Sequence, residues 1–123
     1  MTLSIMTSTL AGDVVEFAPR GEIDVENAYE IREAVAAQLA EGHHPQRIEL
    51  NLQHVTFIDS VGISALVAAF QLAAVSDVKL VVTRPSRFAH RQLWVTGLLG
   101  LFGNPSPFGD GADTAEEPAV SGA

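Results

Sequence analysis

The alternation of hydrophobic and polar residues along the chain predicts strands and helices that follow one another. Residues 3–10 and 13–18 flank Ala11-Gly12-Asp13, and the apolar residues Val14, Val15 and Phe17 of the second run predict a β-hairpin. Apolar residues at three- and four-residue spacing then predict a helix: Ala28, Ile31, Val35 and Leu39. We expect Asp24 to cap this helix and Gly42 to end it.

A second strand and helix follow. Residues 48–52 alternate between apolar and polar, which is the period of a strand with one face on a core, and this strand leads to Ser60. The helix after Ser60 carries an apolar stripe at helical spacing: Ile63, Leu66, Val67, Phe70 and Ala74. It also carries a face of small residues that a partner can approach closely: Ser64, Ala65, Ala68 and Ala69.

The remaining pattern completes an α/β domain. Lys79–Val82 is a nearly continuous apolar run, typical of a parallel strand covered by helices. Pro85-Ser86 begins a helix that Gly97 is expected to end, and residues 98–102 are interpreted as a last short strand. Apolar residues recur along that helix: Phe88, Ala89, Leu93 and Val95. We therefore predict a mixed β-sheet with an initial β-hairpin, right-handed crossovers and helices packed on the sheet.

Composition narrows the classes of function. The chain has 123 residues, the size of one domain, and contains no cysteine, which excludes disulfides, thiolate zinc sites and thiol catalysis. Fifteen acidic and seven basic residues give a net charge of −8, which argues against binding nucleic acid. The uncharged stretch Ser60–Ser76 is shorter than the roughly 20 apolar residues that span a bilayer, and no basic residue precedes Arg20, which does not support a secretory signal. We expect a cytoplasmic protein with no membrane insertion.

The last part of the chain differs from the rest in composition. Glycine and proline recur after Phe102, and Asp110, Asp113, Glu116 and Glu117 occur there with no lysine or arginine. We expect one domain over residues 1–103 and a mostly flexible acidic tail over residues 104–123.

The junction at Asp59-Ser60, between a strand and a helix, is the main candidate for chemistry. A helix N-terminus has unpaired N–H groups and a dipole that favours negative charge, so a phosphate on Ser60 can be accommodated there. The alternative is that Asp59 or Ser60 merely caps the helix, since both residue types are preferred caps. Spacing alone favours the cap.

Other residues fit catalysis or metal binding poorly. His54, Asp59 and Ser60 are the residue types of a nucleophilic triad, but they lie in one short segment and nothing fixes their geometry. His43-His44 is expected in an exposed loop, because adjacent histidines lack the i, i+4 geometry of helical metal pairs. Trp94 is expected in the core or at an interface. We expect no catalytic residue, no metal site and no cofactor.

Two motifs resemble those of the STAS family. Gly21-Glu22-Ile23-Asp24 stands before the first long helix, and Phe57-Ile58-Asp59-Ser60-Val61-Gly62-Ile63 stands before the second. The resemblance extends through residues 78–82 and 95–98 and covers about residues 10–102. Within that family the chain is most similar to the anti-sigma-factor antagonists, and the resemblance implies a STAS-type fold.

The resemblance also implies a function. In that family the unphosphorylated antagonist binds an anti-sigma factor, which is often also a serine kinase of the GHKL type, and so frees a sigma factor. Phosphorylation of the motif serine, here Ser60, breaks the complex, and a PP2C-type phosphatase restores it. The partner-binding residues that we infer, with Asp24 placed at the partner-binding end by the resemblance, are Asp24, Asp59, Ser60, Val61, Gly62, Ser64 and Ala65.

The chain departs from the family pattern at several positions. Val61 stands where the family often has Ser or Thr, Ser64 where Gly is common, and Gln92 in a usually apolar helix position. The segment after Phe102 lacks the family's amphipathic final helix. Two other functions stay open: a STAS adaptor or scaffold subunit, stress-signalling or transporter-associated, without a phosphorylation cycle, and a small hydrolase that uses Ser60. The oligomeric state is also open.

Overall fold

The computed structural model describes residues 2–108, which form an α/β fold. Its elements in chain order are β1 (Ser4–Leu10), β2 (Val14–Ile23), α1 (Tyr29–Ala40), β3 (Arg47–Asn51), β4 (Val55–Ile58), α2 (Ser60–Val75), β5 (Lys79–Thr83) and α3 (Arg87–Val95). None of these helices is long and apolar enough to cross a membrane. The predicted fold class is confirmed.

The five strands form one mixed sheet. Its strand order is β1-β2-β3-β5, and β4 pairs with β2 outside that order. The β1 and β2 strands are antiparallel, whereas the pairs that involve β3, β4 and β5 are parallel. Gly12 and Asp13 take positive φ angles of 82° and 64° in the turn between β1 and β2, as tight hairpin turns require. The predicted hairpin is confirmed.

The long strand β2 changes its parallel partner at Gly21. Its first part, residues 14–17, pairs with β3, and its last part, residues 21–23, pairs with β4. Gly21 has a φ of 101°, which disfavours any residue with a Cβ atom, and its N–H donates to the His54 carbonyl at 2.9 Å. The change of partner brings the carboxyl end of β4 beside the carboxyl end of β2.

The expectation of a single strand leading to Ser60 is wrong. The strand β3 ends at Asn51, and β4 is a separate strand that begins at Val55. Between them the Val55 N–H donates to the Leu52 carbonyl at 3.2 Å, which closes a turn. The apolar pattern continues across this turn because β3 and β4 both bury side chains in the same core, so periodicity alone did not separate them.

The core lies between the sheet and the helices. Its largest fully buried side chains include Ile23, Ile48, Leu50, Leu52, Ile58, Leu66, Leu80, Leu93 and Phe102. The helix α1 packs against α2, α2 packs on β5, and α3 packs on β4. Ile31 and Val35 are buried, as the spacing of apolar residues in α1 predicted.

The buried face of α2 matches most of the predicted stripe, since Leu66 is buried and Ile63, Val67 and Phe70 pack partly buried against the core. The residues that it buries are Gly62, Leu66, Ala69 and Ala73. Ala69, which we placed on the small-residue face open to a partner, is fully buried, and Ala74, which we placed in the apolar stripe, is exposed. Both residues are alanine, so composition did not reveal which of them faces the core.

The start of α1 also differs from the prediction. Asp24 does not cap it, because α1 begins at Tyr29 and its cap position is Ala28, which makes no side-chain hydrogen bond. Residues 24–28 instead form a turn in which the Asp24 carbonyl accepts the N–H of Ala28 at 2.8 Å. The helix ends at Ala40, two residues before Gly42, as predicted.

Both predicted ends of α3 are confirmed. The Ser86 hydroxyl accepts a hydrogen bond from the Ala89 N–H at 3.1 Å and caps the first turn. At the other end Gly97 has a φ of 75°, and the N–H of Leu98 donates to the Leu93 carbonyl at 2.8 Å. This left-handed glycine with its crossed hydrogen bond is a Schellman motif.

The predicted strand at residues 98–102 is wrong, because the segment forms turns. Phe102 is nevertheless fully buried and makes an edge-to-face contact with Phe70 of α2, with ring centroids 5.9 Å apart. Its carbonyl accepts the N–H of Val82 at 3.1 Å, so the segment covers part of β5 without pairing as a strand. The boundary at residue 103 stays a prediction, and most of the predicted tail, residues 109–123, lies outside the described residues.

Candidate functional site

Asp59 forms the N-terminal cap of α2 and sits where β2 and β4 end together. Its Oδ1 atom accepts the Gly62 N–H at 2.8 Å, and its carbonyl accepts the Ile63 N–H at 3.0 Å. Its own N–H donates to the Ile23 carbonyl at 3.2 Å, which fixes the start of the helix to the end of β2. Of the two caps that the sequence allowed, Asp59 is therefore the one that the structure uses.

The second carboxylate oxygen of Asp59 reaches the loop after β2. Oδ2 accepts the N–H of Val25 at 3.2 Å. Asp24, the residue before Val25, accepts the Glu26 N–H through its own carboxylate at 3.0 Å. The structure therefore brings Asp24 and Asp59 to one end of the sheet.

A buried asparagine supports this loop. Asn27 is 5% exposed; its side-chain carbonyl accepts the Asp24 N–H at 2.9 Å and its amide donates to the Glu22 carbonyl at 2.9 Å. Sequence reasoning missed Asn27 and also missed Val25, which the loop places next to Asp59. Asn27 could have been identified from its residue type, because asparagine side chains in loops often bond to nearby backbone groups. No feature of the sequence pointed to Val25.

Gly62 is the point of closest approach between α2 and the two strands. A Cβ atom at this position would lie 2.7 Å from Cγ2 of Ile58 and 2.8 Å from the carbonyl oxygen of Ile23. Real Cβ contacts are essentially never this short. Gly62 is also buried and has no side chain. Its role at the predicted partner surface is therefore to let α2 pack closely on the strands, not to contact a partner.

Ser60, the first residue of α2, is exposed. Val61 is 43% exposed beside it, and Ser64 is exposed one helical turn further along the same face. Ala65 is half-buried. Across the loop, Val25 is 67% exposed. The site thus presents an exposed serine and an exposed valine at the start of α2, and a second exposed valine in the loop that is hydrogen-bonded to Asp59.

Comparisons with a family model and with known proteins show the family of this chain. A model of the STAS domain matches residues 6–115. The chain belongs to the STAS domain family. It is 31% identical, over 82% of its length and 91% of the relative's, to an anti-sigma-B factor antagonist from Staphylococcus epidermidis. An anti-sigma factor antagonist from Mycobacterium paratuberculosis has a similar structure, with a TM-score of 0.69, 24% identity and coverage of 89% of this chain and 90% of that one.

A third relative of this STAS domain is the anti-sigma factor antagonist SpoIIAA, solved in its unphosphorylated form. Its TM-score is 0.69 at 17% identity, with 87% of this chain and 90% of that chain covered. These likenesses confirm both the predicted family and the STAS-type fold.

The residues considered for hydrolysis or metal binding make other contacts in the described part of the chain. The described hydrogen bonds of the Asp59 carboxylate come from the backbone N–H groups of Val25 and Gly62, and within residues 2–108 no histidine ring bonds to it as a hydrolytic triad would require. His43 and His44 are exposed; the ring of His43 contacts Asp13 at 2.9 Å and that of His44 contacts the Leu39 carbonyl at 2.9 Å. Within residues 2–108 no group of three acidic or histidine side chains is suited to holding a metal ion.

Proposed function

We propose that this STAS domain is an anti-sigma-factor antagonist that binds an anti-sigma factor while Ser60 is unphosphorylated, so that a sigma factor is released. The anti-sigma factor is a serine kinase of the GHKL type, and it ends the binding by phosphorylating Ser60. A PP2C-type phosphatase reverses the modification. The observation that carries this proposal is the division of roles at the junction: Asp59 caps α2, which leaves the Ser60 hydroxyl exposed to a kinase.

The relatives support the same assignment. The Staphylococcus epidermidis relative is an antagonist of an anti-sigma factor. SpoIIAA has been solved in an unphosphorylated form and in a phosphorylated form, so that protein exists in both states. The proposal transfers both properties to this chain at Ser60, which makes the protein a cytoplasmic regulator of transcription that acts by protein contact, with no catalytic activity and no nucleic-acid binding of its own.

The partner surface that we propose is centred on the first two turns of α2. Ser60, Val61, Ser64 and Ala65 form its helical part, and Val25 extends it across the loop. Val25 and Val61 expose apolar area that a partner can cover, and interface centres are poor in charged groups. Asp24 and Asp59 border this apolar area and supply polar contacts at its rim.

Phosphorylation changes this surface without requiring the domain to unfold. A phosphoserine adds a charge of about −1.5 to −2 at pH 7. At Ser60 that charge lies at the positive end of the α2 dipole, which offsets repulsion from Asp59 within the domain. A partner packed on Val61 has no such offset, because it must desolvate the phosphate against an apolar surface. We therefore expect retention of the fold with loss of binding.

The test is phosphorylation of the full chain by candidate GHKL-type anti-sigma factors with Mg-ATP, followed by intact mass and site mapping. We expect one phosphate on Ser60 in the wild type and none in Ser60→Ala. Thr9→Ala is the matched control, because it removes an exposed hydroxyl from the hairpin end of β1, outside the proposed partner surface, and it should be modified like the wild type.

Binding distinguishes the remaining functions. By calorimetry we expect the unmodified protein to bind the anti-sigma factor and Ser60→Glu to bind at least about tenfold more weakly, with unchanged circular dichroism. Binding by the wild type without modification by any kinase would instead identify a STAS adaptor. Equal binding by Ser60→Glu would refute phosphate as the signal that ends the complex.

A further inference from the structure

The charges of this protein are segregated along the chain. Residues 78–108 contain four basic residues, Lys79, Arg84, Arg87 and Arg91, and no acidic residue. All 15 acidic residues lie elsewhere in the chain. Although the net charge is −8, the region that contains α3 is therefore positively charged, and it is distinct from the Ser60 junction.

A groove of about 530 Å³ runs along the exposed side of α3. Its lining residues are Arg87, Phe88, His90, Arg91, Trp94 and Pro107. Arg87 and Arg91 are one helical turn apart, and Trp94, which is 64% exposed, follows on the same side. Burial lowers the pKa of His90, so at pH 7 the positive charge of the groove comes from the two arginines. The guanidinium groups suit carboxylates, and the exposed indole supplies apolar area that a chain segment can cover.

The chain itself passes along this groove at residues 107 and 108. The N–H of Phe108 donates to the Pro85 carbonyl at 2.7 Å, and the Arg84 guanidinium carbon lies 5.4 Å from the centroid of the Phe108 ring. Pro107 lines the groove. Phe108, the last described residue, is therefore held beside the start of α3.

The segment that follows has the complementary charge. Residues 109–123 contain four acidic residues and no basic residue, and the first of them, Asp110, is two positions after Phe108. An extended chain spans about 3.3 Å per residue, whereas α3 rises only about 1.5 Å per residue. The four acidic residues between Asp110 and Glu117 are therefore close enough in sequence to reach every part of the groove.

We propose that this acidic segment, residues 110–117, binds in the α3 groove of its own chain, with carboxylates on Arg87 and Arg91 and with one face of Trp94 covered. Attachment at Phe108 makes the contact intramolecular, at an effective concentration in the millimolar range for a short linker. Exposed ion pairs are individually weak and are screened by salt, so the contact depends on several carboxylates acting together. A partner of α3 would have to displace the segment.

Trp94 gives a direct readout, because it is the only tryptophan in the chain. In the full chain we replace the four carboxylates by amides, as D110N/D113N/E116Q/E117Q, and measure quenching of tryptophan fluorescence by acrylamide, which is uncharged. The expected result is a quenching constant that rises roughly twofold, since the indole changes from covered on one face to open on both. The wild type in 0.5 M NaCl and the Arg91→Gln variant should show the same rise, and adding Arg91→Gln to the fourfold variant should have no further effect.

A matched control removes the same charge from other surfaces of the protein. Four exposed acidic residues are replaced by their amides in one variant: Glu22, Glu33, Glu41 and Asp77. This variant should quench like the wild type. The proposal is overturned if the amide substitutions at residues 110–117 leave quenching unchanged, or if the control variant changes it equally. The proposal is also overturned if tenfold dilution of the wild type raises its quenching constant to that of the fourfold variant. The segment would then be binding a second copy of the chain.

Discussion

The Oδ2 atom of Asp59 accepts a hydrogen bond from the backbone N–H of Val25 at 3.2 Å, across 34 positions of the chain. The other carboxylate oxygen, Oδ1, accepts the N–H of Gly62 at 2.8 Å. One side chain therefore caps α2 and also holds the loop that follows β2. This double role links the helix that carries Ser60 to the loop that carries Val25, the two parts of the proposed partner surface.

Substitutions of Asp59 should separate the two roles. Asp59→Ala removes both hydrogen bonds, and we expect the free energy of unfolding to fall by about 1–2 kcal/mol in urea denaturation. Asp59→Asn keeps one acceptor oxygen and should retain the cap, so its stability should lie within about 0.5 kcal/mol of the wild type. In Asp59→Asn the amide of Val25 should exchange with solvent faster, as measured by NMR. Wild-type stability in Asp59→Ala would contradict the capping role.

Gly62 should not tolerate even a methyl group. Gly62→Ala places a Cβ atom within 2.8 Å of the Ile23 carbonyl oxygen, a backbone atom that can move only if β2 and α2 separate. Overpacking of this kind costs about 1–3 kcal/mol, which exceeds the gain of up to about 1 kcal/mol in helix propensity. We expect a net loss of stability in urea denaturation and weaker binding of the anti-sigma factor.

Gly42→Ala is the matched control for this prediction. A Cβ atom at Gly42 meets nothing within 4 Å, and its backbone is not in the left-handed region. Its free energy of unfolding should stay within about 0.5 kcal/mol of the wild type. An equal loss in both variants would show that the close contact at Gly62 is not the cause.

The C-terminal end of α3 provides a second glycine pair. Gly97→Ala forces a residue with a Cβ atom into a φ of 75°, which costs about 1–2 kcal/mol. Gly100→Ala, three residues later, meets nothing within 4 Å at an ordinary φ and should be close to neutral. Thermal unfolding monitored by circular dichroism compares the two variants. Equal midpoints would mean that the Schellman motif contributes nothing.

Local signals in the sequence were enough to predict the hairpin, the three helices and the start of α2. Ser86 and Gly97 mark the two ends of α3 because caps depend on residues a few positions apart. Long-range pairing could not be predicted in this way. The pairing of β4 with β2 depends on residues more than 30 positions apart, and no periodicity within either strand specifies its partner.

The candidate site shows the same limit. Asp59 and Ser60 were found because they are adjacent and begin a helix, whereas Val25 is brought to them by the pairing of β2 with β4 and by its hydrogen bond to Asp59. The sequence also did not show which alanines of α2 are buried. Ala69 and Ala74 are chemically identical and differ only in the side of the helix on which they lie. The turns at residues 98–102 were mistaken for a strand because Phe102 is buried by packing on Phe70, not by pairing.

A negative charge at Ser60 should leave the stability of the isolated domain nearly unchanged. Ser60→Glu places a carboxylate in the first turn of α2, where the helix dipole stabilises it by about 0.3–1 kcal/mol and repulsion from Asp59 acts in the opposite direction by a similar amount. Ser60→Gln is the matched control, because it has the same shape without the charge. We expect the two variants to unfold in urea within about 0.5 kcal/mol of each other, while only Ser60→Glu loses binding through its charge. A loss of more than about 2 kcal/mol in Ser60→Glu alone would mean that charge acts by unfolding the domain, and the switch would then lie in the fold itself and not at the partner surface.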